Sequence, residues 1–266
     1  MKNHYFTSYA GNKRKEIKDI LPFINLDATA ANANITTILE PFAGSAAMSY
    51  YISTQYPNKF KYILNDNDKI NYDLYNISRD AELTEELNEN INKIIDEFNT
   101  YTDDVNRKIF YNSINNKTLE GYIFKHKYYS IRAGLYPLIS NKKQIKPYKL
   151  QDFPIYDFYN NEDITYENID GIEFINKYNQ DEDKLFLLDP PYLASCNDFY
   201  NKSDCNIYEW VFNNKASLLD SRNKILFILE NMWIIKLLLR DFNILLEYDK
   251  YYCISHKKTT HIIYSN

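Results

Sequence analysis

The first eighty residues carry apolar and polar positions in the order expected of a strand, a turn, a helix and a second strand. Residues 16–28 have helical spacing, and "ITTILE" at 35–40 predicts a buried strand. The next stretch turns at Gly44 and keeps helical spacing as far as Pro57. A second strand, "FKYILNDND", ends in acids and precedes helical spacing over 69–77. This order predicts a Rossmann-type α/β unit.

After residue 80 the pattern changes first to a long charged helical region and a loop, and then back to short apolar strands. Residues 81–130 are charged and helical in pattern, whereas prolines in 131–165 predict a loop. Short apolar runs at 184–188 and 224–231 predict two more strands, the second followed by an amphipathic helix. The closing stretch "YYCISHKKTTHIIYSN" predicts a terminal hairpin.

These elements divide the chain into two predicted domains. An α/β core is expected from residues 1–80 and 165–266, and a mainly helical insertion from residues 81–164. A chain of 266 residues is long enough for this arrangement.

Composition adds an expected location. Three cysteines without metal-type spacing and four scattered histidines predict a reducing environment and no metal site. No apolar targeting segment opens the chain, and charged residues break its most apolar stretch, 224–246. We therefore expect neither a signal peptide nor a membrane span, and a cytoplasmic protein.

Charge is unevenly distributed. The whole chain has a formal net charge of −5, yet residues 117–149 contain eight basic residues and one acid, with aromatic residues between them. Such a mixture suits phosphates and stacked bases, although a basic helix face over an aromatic core would explain it as well. The candidate nucleic-acid contacts are Lys125, Lys127, Arg132, Tyr136, Lys142 and Lys143.

The most unusual short segment is "LLDPPY", which ends the strand at 184–188. Proline cannot continue a central strand, so the chain leaves the sheet at Asp189, at the edge where open α/β sheets bind ligands. Pro190 and Pro191 stiffen a turn that holds a carboxylate on one side and the ring of Tyr192 on the other. The turn either holds a flat polar ligand or is rigid for structural reasons alone.

Two other segments could reach the same edge. The turn at Gly44 opens a helix, and the chain has only 5 glycines where about 7% is usual, so we expect the backbone to require this one. Asp66 follows the second strand, where Rossmann-like sites place an acid for ribose hydroxyls. A tight turn and a solvated acid are the alternatives, and the basic opening "YAGNKRK" could equally be a solvated face.

Together these segments resemble the Dam-type, D12 class (α group) of N6-adenine DNA methyltransferases. The resemblance covers most of the chain, and its order is discriminating: glycine turn first, helical insertion next, D-P-P-Y last. The matching stretches are Y-x-G-x-K at Tyr9–Lys13, E-P-F-x-G at Glu40–Gly44, "YILNDNDKINYDLYN" at 62–76, "NIDGIEFI" at 168–175 as a strand, Asp189–Tyr192, and "HKKTTHIIYSN".

The resemblance implies methyl transfer from S-adenosylmethionine to the amino group of an adenine flipped out of double-stranded DNA. It implies a catalytic turn at Asp189–Tyr192, with Tyr192 stacked on the base, and a target-recognition role for the insertion. A monomer, with or without a cognate restriction endonuclease as in restriction–modification systems, is the expected assembly. The residues expected at the cofactor are Tyr9, Gly11, Lys13, Phe42, Gly44, Asp66, Asp170 and Asp189.

The sequence also departs from this family's pattern. Ser45, Ala46 and Ala47 stand where further glycines are common, and the F-N-x-P-x-G motif of the recognition region is absent. RNA or protein-glutamine amino-methylation, and a non-catalytic nucleic-acid-binding protein, therefore stay open as alternatives at this point.

Overall fold

A computed structural model describes most of the chain, in two compact units. One unit lies within residues 12–68 and 163–266, and the other within 69–162. The described residues are 13, 16–24, 26, 34–128, 144–192, 206–252 and 257–266, without the side chains of 126–128, 251, 252 and 257.

The larger unit is built on a seven-stranded sheet in the order β3-β2-β1-β4-β5-β7-β6. The first five strands in that order are parallel, and β7 lies antiparallel between β5 and β6. This is the Rossmann-like α/β arrangement that the sequence predicts. The strands are β1 Thr37–Glu40, β2 Lys61–Asn65, β3 Ile164–Glu167, β4 Lys184–Leu188, β5 Lys224–Glu230, β6 Asn243–Tyr252 and β7 Lys257–Ser265.

Helices belong to both units. In the part of the chain that the structure describes, none of them combines the length and apolarity that crossing a bilayer requires. In chain order they are α1 Ile17–Ile24, α2 Ala47–Gln55, α3 Lys69–Ile77, α4 Ala81–Thr100, α5 Asp104–Ser113, α6 Leu119–Tyr128, a 3-10 turn at Leu150–Asp152, α7 Pro154–Tyr159, α8 Gly171–Tyr178, α9 Ile207–Leu219 and α10 Trp233–Leu238.

The core of the sheet unit lies on the two central strands. In β4 the four residues after Lys184 are buried, and in β5 the five residues after Lys224 are buried. Continuous apolar strands are typical of parallel sheets that are covered on both faces. Phe174 of α8, Phe186 of β4 and Phe227 of β5 are each at most 1% exposed within this core.

The order of strands reverses between β1 and β4. The chain proceeds from β1 to its neighbour β2 on one side, and from β4 to its neighbour β5 on the other. Ligands of open α/β sheets bind beyond the carboxyl ends of the strands at such a switch point. The glycine turn follows β1 and the D-P-P-Y turn follows β4, so both flank this crevice.

The smaller unit is helical and centres on α4. Phe98 of α4 packs edge-on against Phe124 of α6, with ring centroids 5.6 Å apart. Asparagines on α4 hold the extended chain after residue 143 through backbone hydrogen bonds. Asn99 exchanges two bonds with Ile145, both 2.9 Å long, and Asn92 exchanges bonds of 2.7 and 3.0 Å with Tyr148.

Several elements match the sequence prediction, and some do not. The helix over 69–77 and the strand over 184–188 are confirmed at both ends, and the terminal hairpin is confirmed with a first strand that begins earlier, at Asn243. Assigning 168–175 to a strand was wrong.

Most of that segment belongs to α8, which Asp170 caps, and the strand before it is β3. The predicted loop over 131–165 also contains α7, because Pro154 occupies the first turn, where proline favours a helix. The rest of that loop prediction, up to residue 143, lies outside the described residues.

Candidate active site

The turn after β1 is held to the end of β2 by one carboxylate. Gly44 has a φ of 52° and its N–H donates to Oδ2 of Asp66 over 2.7 Å, while Oδ1 accepts from the N–H of Asp68 over 2.8 Å. Asp66 is 7% exposed. Ala46, with a φ of 49°, also adopts the left-handed conformation, which costs an L-residue about 1–2 kcal/mol. A further glycine, frequent in the resembling family here, would avoid that cost.

Asn65 joins three chain segments at this edge and was not singled out from the sequence. It is fully buried, and its amide nitrogen donates to the carbonyls of Pro41 and Ile169 over 2.9 and 3.0 Å. Its amide oxygen accepts from the N–H of Ile169. Asn65 therefore aligns the loops that follow β1 and β3. An asparagine next to the predicted acid was the available signal.

The ring of Phe42 packs directly against Gly171, the first residue of α8. A Cβ on Gly171 would lie 2.2 Å from Cε1 of Phe42, so only glycine fits there. Asp170, predicted at the cofactor, accepts from the N–H groups of Ile172 and Glu173 through Oδ1 and so caps α8.

Glu40 is a buried acid at the end of β1. Its Oε1 accepts both the N–H and the hydroxyl of Ser49, each over 2.7 Å, and the residue is 1% exposed. Burial raises the pKa of Glu40 to about 7, and the two bonds from Ser49 oppose that rise.

The D-P-P-Y turn is held from two sides. Oδ2 of Asp189 lies 2.5 Å from Nζ of Lys13, and Oδ1 accepts the hydroxyl of Tyr192 over 2.8 Å. Burial raises the pKa of Asp189, while the Lys13 ammonium and the two hydrogen bonds lower it. The Tyr208 hydroxyl donates to the carbonyl of Pro191 over 3.2 Å.

A polar cluster, which we call the hairpin cluster and in which Glu16 and His261 are buried, lies against Tyr192. It comprises Glu16 beside α1, Tyr248 and Lys250 on β6, and His261 on β7. Glu16 forms an ion pair with Lys250 and accepts the Tyr248 hydroxyl over 2.8 Å. The His261 ring meets that of Tyr192 edge-on, with centroids 5.1 Å apart.

The sequence reasoning missed this cluster, although the pattern held a signal. Lys250 shares one face of β6 with Leu246 and Tyr248, and a lysine on an inward strand face needs a buried partner.

The predicted nucleic-acid residues divide into two groups. Lys125 is 9% exposed, and its ammonium donates to the carbonyl of Ile114 over 2.7 Å and lies 5.0 Å from the ring centroid of Tyr111. We correct the prediction for this residue, because its charge is used inside the helical unit. The side chain of Lys127, the residues Arg132, Tyr136, Lys142 and Lys143, and the predicted cofactor residues Tyr9 and Gly11 lie outside the described residues.

The described residues contain no group of histidine, cysteine, aspartate and glutamate that could hold a metal ion. The site at the switch point consists of carboxylates, one ammonium, two aromatic rings and backbone N–H groups.

A comparison with family models identifies the chain. Residues 9–252 match the D12 class N6 adenine-specific DNA methyltransferase family. The chain belongs to this family. A comparison with curated proteins found no match.

Membership establishes the reaction class that the sequence left open. The enzyme is an S-adenosylmethionine-dependent DNA methyltransferase that modifies the N6 amino group of adenine. Its substrate is DNA, and enzymes of this kind act on a base flipped out of the duplex. DNA adenine is thereby favoured over the RNA and protein acceptors.

The residues at the switch point fit the methyl donor. Asp66 offers buried carboxylate oxygens beside a backbone turn, which suits ribose hydroxyls. Half-buried Phe42 offers an aromatic surface at the same edge, and the Asp189 carboxylate suits a cationic sulfonium nearby.

Proposed function

We propose that methyl transfer takes place at the switch point between β1 and β4, with Asp189 as the residue that receives the adenine amino group. The supporting observation is the Asp189 carboxylate, 14% exposed and fixed by Lys13 and Tyr192 at the strand end that neighbours the Gly44 turn. S-adenosylmethionine supplies an electrophilic methyl group when bound. Asp66 would accept its ribose hydroxyls, and Phe42 and Gly44 would line its binding surface.

The chemical task of the turn follows from the nature of adenine. The lone pair of the exocyclic nitrogen is delocalised into the ring, so that nitrogen must move toward tetrahedral geometry before it attacks. The Asp189 carboxylate would accept a hydrogen bond from one N–H of the amino group, and the Pro190 carbonyl would accept one from the other N–H. Two fixed acceptors stabilise the tetrahedral state because they are already oriented, and Pro190 and Pro191 keep them so. The amino nitrogen then takes the methyl group directly, S-adenosylhomocysteine is released, and the methylated nitrogen loses its extra proton to solvent afterwards.

Lys13 and Tyr192 would keep the carboxylate in place. An ionised carboxylate has about four acceptor positions, so the bonds to Lys13 and Tyr192 leave capacity for the amino group. Stacking of Tyr192, which is 7% exposed, on the flipped adenine stays part of the proposal. Asp170 and the N-terminal residues Tyr9 and Gly11 stay proposed cofactor contacts on the family resemblance alone.

The helical unit would carry target recognition. The supporting feature is the high content of basic and aromatic residues between positions 117 and 149, which belong to this unit. Lys127, Arg132, Tyr136, Lys142 and Lys143 stay the proposed DNA contacts, and Arg132 is the proposed base reader. A monomer and a cognate restriction endonuclease also stay predictions, as does a cytoplasmic location.

One experiment tests the catalytic proposal. Transfer of labelled methyl from S-adenosylmethionine to adenine-unmethylated DNA should vanish in Asp189→Ala, while calorimetry should still detect binding of the donor, weakened by loss of the carboxylate near the sulfonium. Normal transfer by Asp189→Ala would contradict the proposal. RNA and protein acceptors, assayed beside DNA, should receive no label.

A second experiment tests the recognition proposal. The double variant Lys142→Ala/Lys143→Ala should weaken DNA binding, and the slope of log affinity against log salt should fall by about 0.9 for each lost phosphate contact. Lys146→Ala in the same basic stretch, compared in parallel, shows whether the effect belongs to the proposed pair.

A further inference from the structure

Within the hairpin cluster, His261 lies between Tyr192 of the D-P-P-Y turn and Tyr248. It is fully buried on β7, where it pairs with Tyr248 across the hairpin. Its ring therefore lies between that of Tyr192, with centroids 5.1 Å apart, and that of Tyr248, with centroids 5.5 Å apart. A buried imidazole against a catalytic tyrosine can act through hydrogen bonding as well as through packing.

Its position relative to two oxygens indicates which nitrogen carries the proton. Nδ1 lies 3.5 Å from the hydroxyl oxygen of Tyr192 and 3.9 Å from Oε2 of Glu16. The single hydroxyl proton of Tyr192 is donated to Asp189. Toward His261 that oxygen is therefore an acceptor, which requires N–H at Nδ1. The Glu16 carboxylate favours the same tautomer, because its negative charge attracts an N–H and repels a lone pair.

The charges around the ring keep it neutral. Two ammonium groups, on Lys13 and Lys250, are matched by the carboxylates of Asp189 and Glu16. A proton added to His261 would upset this balance in a buried place. Burial, with repulsion from Lys13 and Lys250, lowers the pKa of His261 to about 3.

We propose that His261 is a positioning residue for methyl transfer: its Nδ1–H donates to the Tyr192 hydroxyl, which in turn donates to the Asp189 carboxylate. The inference rests on the proposed role of Asp189. Each donor in such a chain polarises the next, so the His261 bond strengthens the bond that orients Asp189. His261 contacts neither adenine nor donor, and acts through Tyr192.

The proposal is tested with a pair of nearly isosteric replacements. In His261→Asn the amide N–H can occupy the place of Nδ1–H, whereas His261→Leu has the same branching without a donor. Each replacement lacks the same two outer ring atoms of the imidazole, so the losses of packing largely cancel when the two variants are compared. Because a hydrogen bond contributes about 0.5–1.5 kcal/mol, kcat of the asparagine variant should exceed that of the leucine variant about two- to tenfold. KM values for DNA and donor should differ little.

A third variant locates the effect. In a Tyr192→Phe background the acceptor oxygen is gone, so the asparagine and leucine variants should have equal kcat. Unfolding of each variant, followed by the fluorescence of Trp210 and Trp233, excludes loss of fold as the cause.

The outcomes separate the inference from the proposal beneath it. Equal kcat in His261→Asn and His261→Leu would overturn the inference, because packing alone predicts that leucine does at least as well in a dry site. A difference that persists in Tyr192→Phe would overturn it as well. If these results occur while Asp189→Ala is inactive, only the inference fails. An active Asp189→Ala would instead remove the proposed function.

Discussion

Glu40→Gln should change how the stability of the sheet unit depends on pH. Glu40 is 1% exposed, and burial raises its pKa from 4.5 to about 7. Glutamine keeps the shape and a carbonyl oxygen that can accept both bonds from Ser49. The replacement therefore removes the titration and preserves the contacts.

The size of the stability change follows from the difference between the pKa of Glu40 in the unfolded chain, 4.5, and in the folded protein, about 7. Between pH 4.5 and 7 the folded protein keeps the Glu40 proton that the unfolded chain has released, so unfolding releases a proton and stability falls as pH rises. The full cost, reached above pH 7, is about 3 kcal/mol, since one pKa unit corresponds to about 1.36 kcal/mol. Relative to wild type, Glu40→Gln should gain about 2 kcal/mol in free energy of unfolding between pH 5.5 and 8.5.

Tryptophan fluorescence is a suitable probe for this measurement. The chain has two tryptophans, Trp210 in α9 and Trp233 in α10, and both belong to the unit that contains Glu40. Urea unfolding at the two pH values gives the difference directly. Glu173→Gln, an exposed change in the same unit, is the matched control and should show little dependence on pH. A Glu40→Gln difference that does not vary with pH would refute the reasoning.

Three further changes test other contacts. Gly171→Ala should weaken donor binding, measured by calorimetry, because its Cβ displaces Phe42; unchanged affinity would separate Phe42 from the donor site. Asn92→Ala removes two hydrogen bonds to the backbone and should cost about 1–3 kcal/mol in urea unfolding of the helical unit, whereas Lys93→Ala on the exposed face should cost little. Glu16→Gln should cost about 3–5 kcal/mol by leaving the Lys250 ammonium uncompensated, and adding Lys250→Met should recover much of it; no recovery would contradict the pairing.

The elements that the sequence predicts well are those with strong local patterns. The strand at 184–188 is apolar throughout and ends at two prolines, and the helix at 69–77 has regular spacing. β3 was missed because it has only four residues and follows a segment that prolines mark as loop. Asp170 illustrates the same limit, since an acid before a helix caps it whether or not it also meets a ligand.

The sequence pattern singles out the acids at the strand ends but not the residues that hold the neighbouring turns in place. Asp66 and Asp189 follow strand ends, which makes them visible in a linear pattern. The structural role of Asn65 could not be predicted from the sequence, because it depends on hydrogen bonds to the carbonyls of Pro41 and Ile169, which belong to two other loops. Lys125 was misassigned because a lysine in a basic stretch looks exposed, while its carbonyl acceptor, Ile114, lies eleven residues earlier, at the C-terminal end of α5.

The hairpin cluster shows most clearly what topology adds. Glu16 and His261 lie near opposite ends of the chain, and no local pattern connects them to Tyr192. The sheet order does, since β7 lies between β5 and β6 and carries His261 on the face against the D-P-P-Y turn. A chain that closes its sheet with an antiparallel hairpin thereby brings its last strand behind its D-P-P-Y turn. Substitutions in that hairpin should consequently alter catalysis without touching either substrate.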